Sequence, residues 1–208
     1  MARAPSSPLL LVLSAPSGCG KTTIAQRLLA ANLGLSRVVT CTTRGARGAE
    51  VDGVDYHFLS EAEFLRRVAA NEFLEHAAVY GHHYGTLRSA VWEILNRGRD
   101  ALLVNDVQGA AAVARAGADD PALRRALASV FVMPENLEVL RARLQGRAED
   151  SAAVIERRLA EAGSELAQWR HFDYVVRSGT PEEDWRRVQA IYEAEGLRIT
   201  RGAPFAEG

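Results

Sequence analysis

Lysine is almost missing from this chain of 208 residues: of its 25 Lys and Arg residues only Lys21 is a lysine, and the other 24 are arginine. Coding bias explains an excess of arginine, but not why one lysine survives at one position. Cysteine is nearly as scarce. Cys19 and Cys41 are the only two; they lack the spacing of metal ligands and cannot build a disulfide framework, which suits a reducing compartment and predicts a cytoplasmic protein. No apolar run approaches the ~20 residues of a membrane span. The short run at 9–13, preceded by Arg3 and followed by Ser14-Ala15, faintly imitates a secretory signal. It is too short for one, and cleavage near Ala15 would remove a strand that the next motif requires. Neither sign of charge dominates, the formal net charge being -1. That excludes a global basic field for nucleic-acid binding, so any anion site must be local.

What is present is apolar residues, at 48% of the chain, enough for one well-buried α/β domain with small appended lobes. Residues 9–13 read as a buried strand and 22–31 as a helix with Ile24, Ala25, Leu28 and Leu29 on one face. One further strand is predicted at 37–41, followed by a polar, Gly-rich segment carrying Arg44 and Arg47. Tyr56, Phe58 and residues 79–84 suggest short strands, with a helix between them opened by the capping signature from Ser60 to Glu63. Helices near 89–96, 108–116 and 135–144 then alternate with strands at 101–105 and 130–133. A last strand is expected at 172–176, and Thr180-Pro181-Glu182-Glu183 is a strong helix start. Such alternation predicts a parallel sheet covered by helices on both faces. The ends, 1–8 and 202–208, are expected to be loose.

Ala15-Pro16-Ser17-Gly18-Cys19-Gly20-Lys21-Thr22 has the spacing of a phosphate-binding P-loop, with alanine in place of the first glycine. It lies between a predicted strand and a predicted helix, as that motif must. Gly18 and Gly20 let backbone N–H groups converge on phosphate oxygens, Lys21 reaches the β/γ oxygens, and Thr22 can ligate Mg²⁺. Ala15 is tolerable if its φ is negative. Residues Ala15 to Thr23 are thus expected to bind ATP. Asp106, just past a strand end, is placed to hold the hydration shell of the metal.

A P-loop alone implies only a nucleoside triphosphate. The segment from Thr40 to Glu50, Asp52-Gly53, Tyr56-His57-Phe58, Glu72-Phe73-Leu74-Glu75, Tyr84-Gly85-Thr86 and Asp106-Val107-Gln108-Gly109 together resemble the guanylate kinase family over nearly the whole chain. The resemblance implies a P-loop kinase with a core (1–39, 87–140 and 166–208), an inserted mixed β/α lobe for GMP (40–86) and an arginine-rich lid (141–165). It implies ATP and GMP or dGMP as substrates, with Mg²⁺. Oligomeric state stays open between monomer and homodimer.

By that resemblance Thr40, Arg44, Arg47, Glu50, Tyr56, Glu75, Tyr84, Thr86 and Asp106 are expected to bind GMP. Two guanidinium forks and two phenols make a clamp for a dianionic phosphate. Glu75 is the base reader: a carboxylate accepts from guanine N1–H and the 2-amino group, and adenine has no such pair of donors there. Arg143, Arg147 and Arg158 match lid arginines. Lys21, Arg44, Arg147 and Arg158 are the expected catalytic cations, since phosphoryl transfer needs charge neutralisation and alignment rather than a general base. His82 and His83 are adjacent in a predicted strand and so point to opposite faces. Ala46 and Ala49 replace a usual proline and glycine, Val104 stands where an acid is usual, and Arg177-Ser178-Gly179 replaces a stretch with an asparagine near the adenine. Two alternatives remain: a kinase of another phosphorylated acceptor such as ribose 1,5-bisphosphate, and a non-catalytic interaction module, against which the intact Lys21 and Thr22 weigh.

Overall fold

The computed structural model describes residues 7–79, 81–145, 152–198 and 201. Its centre is the strand β1 (Leu10–Ser14), whose five residues are all buried. A strand buried on both faces needs helices on both sides. Leu11 and Leu13 pack with Ile24 and Leu28 of α1 (Lys21–Ala31) and Val188 of α8 (Pro181–Gly196). Leu10 and Val12 face the other way, against Val91 of α3 (Arg88–Asn96) and Val113 of α4 (Val107–Asp119). Each buried leucine or valine contributes about 1.5–3 kcal/mol.

The remaining strands of this sheet are β2 (Leu35–Arg37), β7 (Asp100–Asn105), β8 (Leu127–Met133) and β9 (Tyr174–Arg177). All pairs are parallel, in the order β2-β7-β1-β8-β9. The carboxyl ends of β1 and β7 lie side by side, with Ser14 opposite Asn105. A ligand site is expected at that edge of an open α/β sheet.

A second sheet, ordered β4-β3-β6-β5, is built from β3 (Thr40–Thr42), β4 (Tyr56–Phe58), β5 (Phe73–Val79) and β6 (His82–Leu87). The helix α2 (Glu61–Ala69) covers it, its N-terminus capped by the Ser60 side chain accepting from the Glu63 N–H. Cys41, Phe64, Phe73 and Leu87 form its small core, with the Phe64 and Phe73 rings stacked at 4.4 Å. His83 also stacks on Phe64, at 5.2 Å. Gly85 is required here, because a Cβ would lie 2.8 Å from the Phe73 ring.

Three expectations are corrected. The single strand expected at 37–41 is two strands in different sheets: the Val38 N–H still bonds Leu102, then β3 joins the second sheet. Only Val38 and Val39 separate the two strands, and no glycine or proline marks the change. The helix α5 (Pro121–Ala126) is additional, with Asp120 accepting from the N–H groups of Ala122 and Leu123. At the ends, the Ser7 N–H bonds the Arg201 carbonyl at 2.7 Å, so the stretch expected to be loose is tied down at residue 7. Between β8 and β9 lie α6 (Leu137–Gln145) and α7 (Ala152–Leu166), bridged by the Arg141–Glu156 ion pair. Among the described residues no helix is long and apolar enough to cross a membrane.

Candidate active site

Gly18 and Gly20 have φ of 91° and 81°, values that exclude most side chains on backbone grounds alone. Among the described residues nothing lies within 4 Å of a Cβ built at Gly20, so there the requirement is conformational rather than steric. Ala15 is not among the positive-φ residues and is buried, so alanine fits where the motif usually has glycine. Gly20 caps α1 with no side chain, leaving the first N–H groups of the helix to face an anion. Lys21 Nζ donates to the carbonyls of Ala15 and of Pro16, the latter at 3.2 Å, and so draws the loop around its own ammonium.

The second sheet supplies the groups for an acceptor. Arg44 follows β3 and is buried, its Nη1 and Nη2 donating to the two carboxylate oxygens of Glu50 at 2.9 Å each. The backbone N–H of Arg47 also donates to Glu50, at 2.8 Å. The Arg44 fork holds the Glu50 carboxyl below its ordinary pKa, and Glu50 in turn raises that of Arg44. The guanidinium lies 5.4 Å from the centre of the Tyr56 ring, and Tyr56 meets Tyr84 edge-on at 6.3 Å. Arg47 itself is exposed.

On β5, Glu75 is buried and sits across from Thr86 of β6, whose hydroxyl donates to Glu75 Oε1 at 2.5 Å. Burial pushes the Glu75 carboxyl up; hydrogen bonding from Thr86 and the nearby Asn105 amide oppose this, and the Asp106 charge adds to it. Asp106 follows the first sheet's β7 and caps α4, its Oδ1 accepting from the Gly109 N–H at 2.7 Å.

These parts meet in one cavity of about 290 Å³, whose lining includes Lys21, Thr22, Thr40, Tyr56, Glu75, Tyr84 and Asp106. Arg44, Glu50 and Thr86 stand behind that lining, bonded to each other or to Glu75 as described. Val104 and Asn105 also line it, and motif matching gave Asn105 no role. A second cavity of about 200 Å³ adjoins the loop, between Gly18, Gly20 and Thr23 on one side and Pro181 and Asp184 on the other. Asp184 is buried and accepts from the Ser178 hydroxyl and the Gly179 N–H, both at 2.7 Å. Sequence reading passed over it because an acid in the first turn of a helix reads as helix chemistry alone. Arg158 is half-buried on α7 and lines neither cavity. Arg147 and the side chain of Arg143 lie outside the described residues.

A phosphate loop between a parallel strand and a helix, opening on a cavity shared with an inserted sheet, defines a P-loop phosphotransferase. The comparisons give the family. The family model for guanylate kinase matches residues 7–195. The guanylate kinase of Paramagnetospirillum magneticum is 45% identical over 93% of this chain and 87% of its own length. That of Symbiobacterium thermophilum is 42% identical over 98% and 94%. The crystal structure of guanylate kinase from Anaplasma phagocytophilum superposes with a TM-score of 0.74 at 33% identity, covering 94% of this chain and 90% of that one. The chain belongs to the guanylate kinase family and is an enzyme, a nucleotide-binding transferase.

Proposed function

We propose that this chain transfers the γ-phosphoryl group of ATP to GMP, and to dGMP, by direct in-line attack of the acceptor phosphate. The observation that carries this reading is the single cavity bounded at one end by Lys21 and Thr22 and at the other by Glu75, Tyr56 and Tyr84. Donor and acceptor phosphates entering from the two ends meet within it, and proximity of that kind removes much of the entropic barrier.

In this reading Lys21 and the α1 N-terminus neutralise the β/γ-phosphates, and the second cavity takes the nucleoside end of ATP. Arg44, Arg47, Tyr56 and Tyr84 hold the GMP phosphate. Glu50 contributes by orienting Arg44 rather than by touching the anion, since two carboxylate oxygens on one guanidinium leave its other N–H groups aimed elsewhere. Glu75 accepts from the guanine N1–H and 2-amino group, with Thr40 and Thr86 at the same edge. Arg143, Arg147 and Arg158 complete the donor site when the lid closes.

The Thr22 hydroxyl and the Asp106 carboxylate, both on the shared cavity, are hard oxygen donors and suit Mg²⁺, with Asp106 acting through water. Bound there with the phosphates, the ion would screen charge on the transferring group. Cys19 and Cys41 are both buried and not joined in a disulfide, which suits a reducing compartment such as the cytoplasm.

A coupled assay of ADP release with ATP and Mg²⁺ tests the reading, comparing GMP, dGMP, AMP and ribose 1,5-bisphosphate. GMP and dGMP are expected to support turnover and AMP to be poor. Turnover with the bisphosphate and none with GMP would overturn it in favour of another acceptor, to which Val104 on the cavity wall would then be adapted.

A further inference from the structure

Asn105 ends β7 at the wall of the shared cavity, and its Nδ2 is buried with no hydrogen-bond partner among the described residues. A buried amide donor left unpaired is costly, so its position asks for a use. The space it occupies is kept open by a glycine: a Cβ at Gly109 would lie 2.8 Å from that Nδ2 and 3.1 Å from the amide carbon. The acceptor within its reach is the Glu75 carboxylate. Asn105 helps to stabilise the charged form of Glu75 against the effect of burial, although no fully formed bond joins them.

Glu75 needs such a contact. The Thr86 hydroxyl holds Oε1 and its backbone N–H also acts on the carboxylate, but both come from one side, and the terminal torsion of a glutamate is broad and two-fold. A carboxylate held from one residue can swing out of the plane in which it would meet two N–H donors of a purine. The other titratable groups on the same cavity are Lys21 from α1, Asp106 before α4, and Tyr56 and Tyr84 from β4 and β6. Asp106 Oδ1 is already taken by the Gly109 N–H, and Lys21 by loop carbonyls.

We propose that Asn105 is a positioning residue, whose amide fixes the rotation of the Glu75 carboxylate and thereby sets the preference for an acceptor base carrying a 2-amino group. This rests on Glu75 being the base reader, and it goes further by assigning a specificity role to a residue of the core sheet.

The test is steady-state kinetics of the full chain with GMP and with IMP, which lacks the 2-amino donor. Asn105→Leu removes the amide at similar volume. Gly109→Ala keeps the amide but displaces it, and favours the helix that contains it. Both are expected to raise KM for GMP about tenfold, as for loss of a hydrogen bond to a charged group, while kcat and KM for ATP stay within about twofold of wild type. The GMP-over-IMP preference should fall in both. A merely structural role would move kcat and both KM values together, or lower stability without changing the preference. Glu75→Gln separates the two readings. If it erases the preference while Asn105→Leu and Gly109→Ala keep it, the positioning role is refuted. If Glu75→Gln itself leaves the preference intact, the base-reader assignment fails and this inference falls with it.

Discussion

At the scale of single residues, charge is matched to geometry. Lys21 is a compact ammonium whose donors close the loop on the Ala15 and Pro16 carbonyls. A planar guanidinium cannot reproduce that arrangement in so small a space. Lys21→Arg should therefore lower kcat by about a hundredfold or more, the usual scale for losing a preorganised cation or donor at developing charge; an active variant would refute the point. Glu75 gives a pH signature. Burial disfavours its charged form and raises its pKa, yet only the ionised carboxylate can accept both guanine donors. Activity at limiting GMP should thus fall on acidification in a limb lying above the ordinary glutamate value of about 4.3, and Glu75→Gln should remove that limb. A limb at or below the ordinary value would contradict the assignment. Both residues were legible in the sequence, because each belongs to a motif whose spacing encodes its surroundings. Asn105 and Asp184 were not: one lies beside a motif position without being part of it, and the other gains its role only when the first turn of α8 folds against the phosphate loop.

Elements show the same division. Helix starts were readable because capping is local. Thr180 accepts from the Glu183 N–H at 3.2 Å, and the Glu183 carboxylate accepts from the Thr180 N–H at 2.9 Å, a reciprocal box at the helix start that the sequence implied. Thr180→Ala should cost about 1 kcal/mol of stability, measured as a lower urea midpoint with an unchanged slope; no change would mean that the Glu183 half of the box suffices. The passage from β2 to β3 was unreadable, since which sheet a short apolar run joins depends on distant partners, Leu102 in one case and Gly85 in the other. The hairpin between β5 and β6 turns at Gly81, with φ of 78°. Its strands exceed the predicted ones because only three consecutive residues of each are buried and polar residues such as Glu75, His76, His82 and His83 interrupt the apolar signal.

Over the whole molecule, one buried ion pair anchors the chain's C-terminal part to its centre. Arg201 and Glu195 are almost wholly buried and 2.9 Å apart. The same guanidinium donates to the carbonyls of Arg125, Ala126 and Leu127, at the junction of α5 and β8. Removing Arg201 leaves the buried Glu195 to Arg198 and Tyr174 alone and takes the donor from three carbonyls, so Arg201→Ala should destabilise the fold by about 3 kcal/mol. That loss should appear in thermal unfolding and be much smaller for Arg198→Ala, whose side chain is more than half exposed. No motif announces this pair; only the folded chain brings residue 201 to residues 125–127.

The fold also sets the stereochemistry of the reaction. The carboxyl ends of β1 and β7 and the inner wall of the second sheet bound one cavity, and in the proposed reading the two phosphates meet there without a covalent enzyme intermediate. Transfer from ATP made chiral at its γ-phosphorus by oxygen isotopes tests this directly. Inversion at phosphorus in the GDP formed is the predicted result. Retention would require two successive displacements through a phosphorylated side chain and would contradict the account.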